Sequence, residues 1–242
     1  MKSTIIRNVM TVLLALFSLH VSAQIYYNGL KYNLNGNTVK VIGKDPNSFV
    51  ININVTIPSS IEYGGKQYSV TSIGDQAFNG SDLTSVTIGN NVTSIGQEAF
   101  KGCSGLTSVN IGDNVTSIGQ SAFYGCSELT SVNIPNSVKY IEEATFYNCS
   151  GLTSVTIGNN VTSIGKEAFK GCSGLTSVTI PNSVKSIEQS AFSGCTSLTS
   201  VTIPNRVESI GESAFSGCSG LTSVTIPNRV TYIEEATFSG CI

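Results

Sequence analysis

Leu106 to Glu128 reads LTSVNIGDNVTSIGQSAFYGCSE, and nearly all of the chain beyond residue 70 repeats it with small changes. Val109 and Ile111 fall on one side of a two-residue period and Ser108 and Asn110 on the other, which predicts a strand with one buried and one wet face. A turn follows at Gly112, or at Pro135, Pro181, Pro204 and Pro227 in other copies, with Asn90, Asp113, Asn136, Asn159, Asn182, Asn205 and Asn228 next in line. Val115 and Ile118, three apart, suit a second short strand or extended turn, and Gly119 to Phe123 suits a short helix or 3₁₀ turn. Gly125 then reverses the chain.

The spacing fixes the architecture. Cys103, Cys126, Cys149, Cys172, Cys195, Cys218 and Cys241 recur every 23 residues, and Leu83, Leu106, Leu129, Leu152, Leu175, Leu198 and Leu221 keep the same rhythm. Self-similarity at this period marks a solenoid, because one unit cannot bury its apolar face alone and gains a core only by stacking on its neighbours. Each coil offers Leu, two Val, two Ile, Phe, usually Ala, and Cys to a shared interior.

Two segments stand outside the repeat. Residues 1–23 carry Lys2 and Arg7, a short apolar stretch from Val12 to Leu19, and Val21-Ser22-Ala23 before Gln24, the pattern of a cleaved export signal. With no cysteine before Cys103, a lipid-modified cleavage point is not expected, and no later stretch reaches the ~18 apolar residues of a membrane helix. Residues 24–69 read as an N-terminal β cap. Tyr26 to Tyr32 and Thr38 to Ile42 are alternating runs on either side of the Asn35-Gly36-Asn37 turn, followed by a strand at Val50 to Ile57 and a Tyr63-Gly64-Gly65-Lys66 turn. The solenoid, residues 70–242, then opens on an imperfect unit around Val70 to Phe78 that lacks the cysteine.

Composition excludes several functions. His20, Met1 and Met10 lie in the signal, so the processed chain of 219 residues has no His, Met or Trp and cannot build imidazole-based catalysis. Removing Lys2 and Arg7 leaves 11 basic residues against 15 acidic ones, a net charge of −4 that argues against nucleic acid or an anionic membrane surface as partner.

The motif Leu-x-x-Val-x-Ile-Pro/Gly-x-x-Val-x-x-Ile-x-x-x-Ala-Phe-x-Gly-Cys, as it runs from Leu175 to Cys195, resembles the BspA-like leucine-rich repeat. The resemblance covers about residues 55–242, and the hairpin with its Tyr-Gly-Gly-Lys turn is similar to that family's usual N-terminal cap. It implies an α/β repeat: a curved, β-rich leucine-rich-repeat solenoid on secreted or surface proteins, several of which act as adhesins toward extracellular host proteins. It supplies no catalytic residues. Thr145 and Thr237 depart from the pattern by replacing the alanine before Phe, and a sorting or anchoring segment after Cys241 is not expected.

Three constellations invite chemistry and are better read as structure. The seven cysteines share one phase, which places each beside its equivalents at the ~4.8 Å strand spacing rather than at the ~3.5–4.5 Å Cβ separation of a bridge, so free buried thiols acting as apolar filler are expected and no disulfide. One thiol per coil cannot wrap zinc tetrahedrally, and neither metal nor cofactor is expected. Glu142-Glu143 and Glu234-Glu235, four coils apart, would lie ~19 Å from each other, beyond the reach of a glycosidase acid pair, and read as solvated helix-entry residues. The Asn/Asp column reads as a turn ladder whose amides serve the next coil.

Surface columns carry what individuality there is. The exposed strand positions, from Ser85/Thr87 to Ser223/Thr225, are small and uncharged and offer no aromatic or arginine anchor. The position after the core Phe reads Lys101, Tyr124, Tyr147, Lys170 and then serine, and Arg206 and Arg229 form a smaller column. These six residues are the candidate ligand-binding set for a non-enzymatic, secreted or cell-surface protein that binds an extracellular or host protein. A carbohydrate-binding module and a structural or variable surface antigen are the alternatives. The last coil, from Leu221, is expected to be the least protected or to mediate self-association.

Overall fold

The protein is described by a computed structural model over residues 23–47 and 54–241. The export signal, apart from Ala23, and the first part of the strand expected at Val50 to Ile57 lie outside the described residues. The N-terminal segment forms β1 (Gln24–Tyr27), β2 (Leu30–Asn35) and β3 (Thr38–Lys44), an antiparallel meander. Tyr26 to Tyr32, expected as one run, is broken into a hairpin because Asn28 and Gly29 both take left-handed backbone, φ 47° and 76°. The turn expected at Asn35-Gly36-Asn37 is present, with Gly36 at φ 58°. After β4 (Asn54–Ile57), a second hairpin of β5 (Ser60–Tyr63) and β6 (Lys66–Ile73) turns on Gly64-Gly65. Strand β3 then pairs in parallel with β6, so the meander joins the sheet that the repeats continue.

Each following coil carries a longer strand and a short one: β7 (Ser85–Ile88) and β8 (Ser94–Ile95), β9 (Ser108–Asn110) and β10 (Ser117–Ile118), β11 (Ser131–Ile134) and β12 (Tyr140–Ile141), β13 (Ser154–Ile157) and β14 (Ser163–Ile164), β15 (Ser177–Thr179) and β16 (Ser186–Ile187), β17 (Ser200–Thr202) and β18 (Ser209–Ile210), then β19 (Ser223–Thr225). The longer strands, with β4, make one eight-stranded parallel sheet. Like residues sit opposite one another, for instance Val155 against Val132 and Val178. Inward positions behave as the pattern dictates: in the Leu152 coil, Leu152, Val155, Ile157, Val161, Ile164, Ala168, Phe169 and Cys172 are all buried. The phenylalanines from Phe78 to Phe238 stack in an unbroken column, ring centroids 5.2–5.5 Å apart and planes within 7°.

The third side of the coil is not the expected short helix or 3₁₀ turn, and no helix occurs among the described residues. In the Leu106 coil Ser121 adopts φ 55°, which interrupts any right-handed helical run. Equivalent non-glycine residues, Gln76, Glu98, Ala144, Glu167, Ser190, Ser213 and Ala236, do the same at φ 53–56°. Left-handed backbone costs such residues ~1–2 kcal/mol each, and the cost is offset by bonds to the next coil. The N–H groups of Ser121, Phe123 and Gly125 donate to the carbonyls of Glu143, Thr145 and Tyr147 at 2.9, 2.9 and 2.7 Å. Between them, the N–H groups of Ala122, Tyr124 and Cys126 close turns on Gly119, Ser121 and Phe123 at 3.1–3.2 Å. Every amide of this buried turn is thereby satisfied, half within the coil and half along the solenoid.

Candidate functional site

The four residues of the Lys/Tyr column come together as a single stack on this third side. Each follows a buried Phe, and because the phenylalanines are held in register the next residues are too. The Tyr124 and Tyr147 rings lie 4.6 Å apart with planes 1° from parallel. Lys101 Nζ sits 5.3 Å from the Tyr124 centroid and Lys170 Nζ 5.6 Å from that of Tyr147, so the outer ring faces are covered by ammonium groups. Each lysine is held by the glutamate three residues earlier: Lys101 donates to Glu98 at 2.9 Å and Lys170 to Glu167 at 2.8 Å. The Lys101 bond, then one from Gln76, holds the Glu98 carboxyl below the usual carboxylate range, and the bond to Glu167 raises the Lys170 ammonium. Both ring faces being occupied, the stack presents edges, phenol hydroxyls and half-exposed ammonium groups outward, already ordered.

The arginine pair is not part of this site. Arg206 and Arg229 lie in the turns that follow β17 and β19, away from the Ala-Phe turn, and both are exposed. Arg229 Nη1 is 3.8 Å from Glu208 Oε1 with both side chains more than half exposed, a separation that contributes little.

A second feature was not anticipated. Tyr140, 56% exposed, occupies the outward position of β12 and borders a groove of about 400 Å³ that also includes Glu142, Glu143, Lys166 and Glu188. Glu188 accepts from Ser163 at 3.0 Å and Glu143 lies 3.8 Å from Lys166. The legible signal was Tyr140 one place before a strand isoleucine and two before Glu142, which puts ring and carboxylate on one surface. The glutamates are solvated, as expected, but they enter turns rather than helices.

The cysteine column does more than fill space. Six thiols are buried and Cys241 is partly so. Each donates to the carbonyl of the preceding coil's phenylalanine, as Cys172 does to Phe146 at 3.1 Å and Cys126 to Phe100 at 3.2 Å. Burial pushes the Cys103 thiol up to about 11 and that of Cys149 to about 12, so the thiolate is disfavoured. In the Asn column Asn136 serves the next coil as expected, its Oδ1 accepting the Asn159 N–H at 2.7 Å, while Asn114 and Asn160, one place later, donate back to the Asn90 and Asn136 carbonyls of the preceding coil at 2.8 Å. Among the described residues no three or more His, Cys, Asp or Glu side chains gather as a metal-holding group, and no helix is long and apolar enough to cross a membrane.

Comparison with known proteins agrees with this repeat geometry. A leucine-rich repeat protein of T. pallidum is 30% identical, with 81% of this chain and 89% of that one covered at a TM-score of 0.73. A leucine rich cell surface protein of Faecalibacterium prausnitzii is 28% identical over 90% of this chain and 80% of its own, TM-score 0.49. The pneumococcal vaccine antigen PcpA is 18% identical over 92% of this chain and 86% of its own, TM-score 0.46. No curated protein sequence matches. The BspA type leucine rich repeat region, in six copies, matches residues 71–195 and 162–242, and with 23-residue coils, stacked phenylalanines and a thiol column running through that span, the chain belongs to this family.

Proposed function

We propose that the chain is an exported, non-enzymatic interaction protein that binds an extracellular protein in the manner of an adhesin. The Lys101, Tyr124, Tyr147 and Lys170 stack is its main contact, and Arg206 and Arg229 are a lesser one. The observation that carries this reading is the pre-ordering of the stack. Four side chains that usually lose rotamer freedom on binding are already fixed by ring stacking and two ion pairs, so a partner gains their edges and hydroxyls at low entropic cost. Export rests on the Lys2/Arg7, apolar and small-residue pattern of residues 1–23. The test is retention of the processed chain on immobilised extracellular matrix proteins, with Tyr124→Ser/Tyr147→Ser as the control. Retention lost in that variant supports the reading; retention unchanged moves the contact elsewhere. Self-association through the coil from Leu221, where Ile226 and Ile233 are exposed, belongs to the same proposal and is read by sedimentation.

A second reading, carbohydrate binding, draws on the Tyr140 groove, where an exposed ring stands beside the carboxylates of Glu142 and Glu188. A glycan array with Tyr140→Ala as control separates it from the first.

A further inference from the structure

The short-strand ladder of the solenoid is broken at two places, and the same residues stand at both. Strands β8 and β10 pair, and β12, β14, β16 and β18 pair, but β10 does not pair with β12. In intact coils two amides flank each short strand and donate to the preceding coil: Lys185 to Thr162 at 2.8 Å and Glu188 to Ile164 at 2.9 Å, or Thr162 to Lys139 and Gly165 to Ile141, both at 2.8 Å. Their counterparts in the Leu129 coil, the amides of Lys139 and Glu142, have no such bond, nor do those of Thr231 and Glu234 in the Leu221 coil. Between β9 and β11 the long sheet is also reduced to the single pair Ser131 and Ser108, where other neighbours share three or four.

These two coils alone read Tyr-Ile-Glu-Glu-Ala-Thr-Phe, at Tyr140 to Phe146 and Tyr232 to Phe238. Glutamate after the isoleucine is not the cause, since the Leu175 coil has Glu188 there and pairs normally. The tyrosine points to solvent, Tyr140 at 56% and Tyr232 at 68% exposure, and adds no volume between coils. The threonine is different. Thr145 and Thr237 are buried in a column otherwise filled by Ala99, Ala122, Ala168, Ala191 and Ala214. A close-packed interior does not absorb two extra heavy atoms without movement. The hydroxyls also donate to the carbonyls of Glu142 and Glu234 in their own coil at 2.8 and 2.7 Å, and only that of Thr237 also reaches the preceding coil, at 3.5 Å from the Gly211 carbonyl. The phenylalanine spacing is widest at these steps, 5.4 Å for Phe123 to Phe146 and 5.5 Å for Phe215 to Phe238.

We infer that Thr145 and Thr237 are wedges that divide the solenoid into blocks able to open independently along the short-strand side, and that the Tyr124–Tyr147 stack is the clamp across the internal seam. Tyr124 belongs to the coil before that seam and Tyr147 to the coil after it. The ladder on their side, from Ser121, Phe123 and Gly125, runs unbroken across the seam. The clamped side is the pivot and the short-strand side is the part that parts.

Native-state hydrogen exchange of the whole processed chain tests this with matched residues. Lys139 and Glu142 are compared with Lys185 and Glu188, the same residue types at the same coil positions. The expected result is exchange at least tenfold faster at Lys139 and Glu142, slowed to the Lys185 and Glu188 rates by Thr145→Ala and left fast by Tyr140→Ser. Tyr124→Ser/Tyr147→Ser should speed exchange at Ser121, Phe123 and Gly125. Should Thr145→Ala fail to fold, Ala191→Thr supplies the converse and is expected to create fast exchange at Lys185 and Glu188. Equal rates for the matched pairs in the parent chain would overturn the inference, as would a seam closed by Tyr140→Ser and not by Thr145→Ala.

Discussion

Replacing Cys172 separates two accounts of the thiol column. The Phe146 carbonyl accepts the Cys149 N–H at 3.2 Å and the Cys172 thiol at 3.1 Å, both in a fully buried setting. Cys172→Ala removes one buried heavy atom, ~1 kcal/mol of transfer free energy by analogy with a methylene. It leaves a sulfur-sized void worth ~0.5–1 kcal/mol at ~24 cal/mol per Å³, and strips a weak donor from the carbonyl, for a total near ~2 kcal/mol. Cys172→Ser fills most of that void and keeps a donor aimed at the same oxygen, so its cost falls to ~1 kcal/mol, chiefly the lost apolar transfer. If the thiol were only filler, the order would reverse, because an unpartnered buried hydroxyl costs ~1–3 kcal/mol. The assay is urea denaturation followed by circular dichroism, comparing midpoints at unchanged slope. A serine variant less stable than the alanine variant refutes the hydrogen-bonded role.

Other outcomes follow from the same geometry. Thiol labelling of the purified chain should count seven reactive cysteines after denaturation and few before it; stable intramolecular pairs in non-reducing mass spectra would sink the free-thiol column. Alkaline pH should destabilise the fold: with folded values of about 11 for Cys103 and about 12 for Cys149 against an unfolded value of 9.0, the stability linked to these thiols is complete below about pH 9. It is lost as pH rises through that window, and a melting temperature unchanged between pH 8 and 11 would contradict this. Tyr124→Ser/Tyr147→Ser should lower stability by ~1.5–3.5 kcal/mol, from one ring pair at ~0.5–1.5 kcal/mol and two cation–π contacts at ~0.5–1 kcal/mol each. Partner binding should fall by at least ~1 kcal/mol if the tyrosines are anchors, and calorimetry on the same samples reads both.

Fold class was legible because the inward residues repeat in a fixed phase. The 23-residue return of Leu, Phe and Cys left one way to bury them, and the two-residue alternation around Val109 placed the long strand. The third side was misread. Left-handed backbone usually announces itself through Gly or Asn, and here Gln76, Glu98, Ser121 and Ala144 adopt it for the sake of a bond one coil away. A local window over Gly119 to Phe123 therefore shows a helical turn. Stacking of Tyr124 on Tyr147 was readable from the column; occupation of both ring faces was not, since it depends on Glu98 and Glu167 steering the lysines. Tyr140 escaped notice because a lone outward residue on a two-residue strand has no periodic signature.

The third-side hydrogen bonds join each amide to the residue just before its counterpart, one coil away and always in the same direction: Ser121 to Glu143, Ala144 to Lys166, Glu167 to Gln189. Every coil is thus a plug on one face and a matching socket on the other. Excision of residues 152–174 would bring Phe146 against Phe192 and let the Ala144 amide meet the Gln189 carbonyl, with no bond left open. Unequal crossing-over between near-identical coils such as those beginning at Leu83 and Leu152 would therefore yield chains of altered coil number that still close their ladders. Length in this protein is a quantity that heredity can adjust in whole coils without redesigning the backbone ladders, at the expense only of surface contacts such as that of Lys170 with Tyr147.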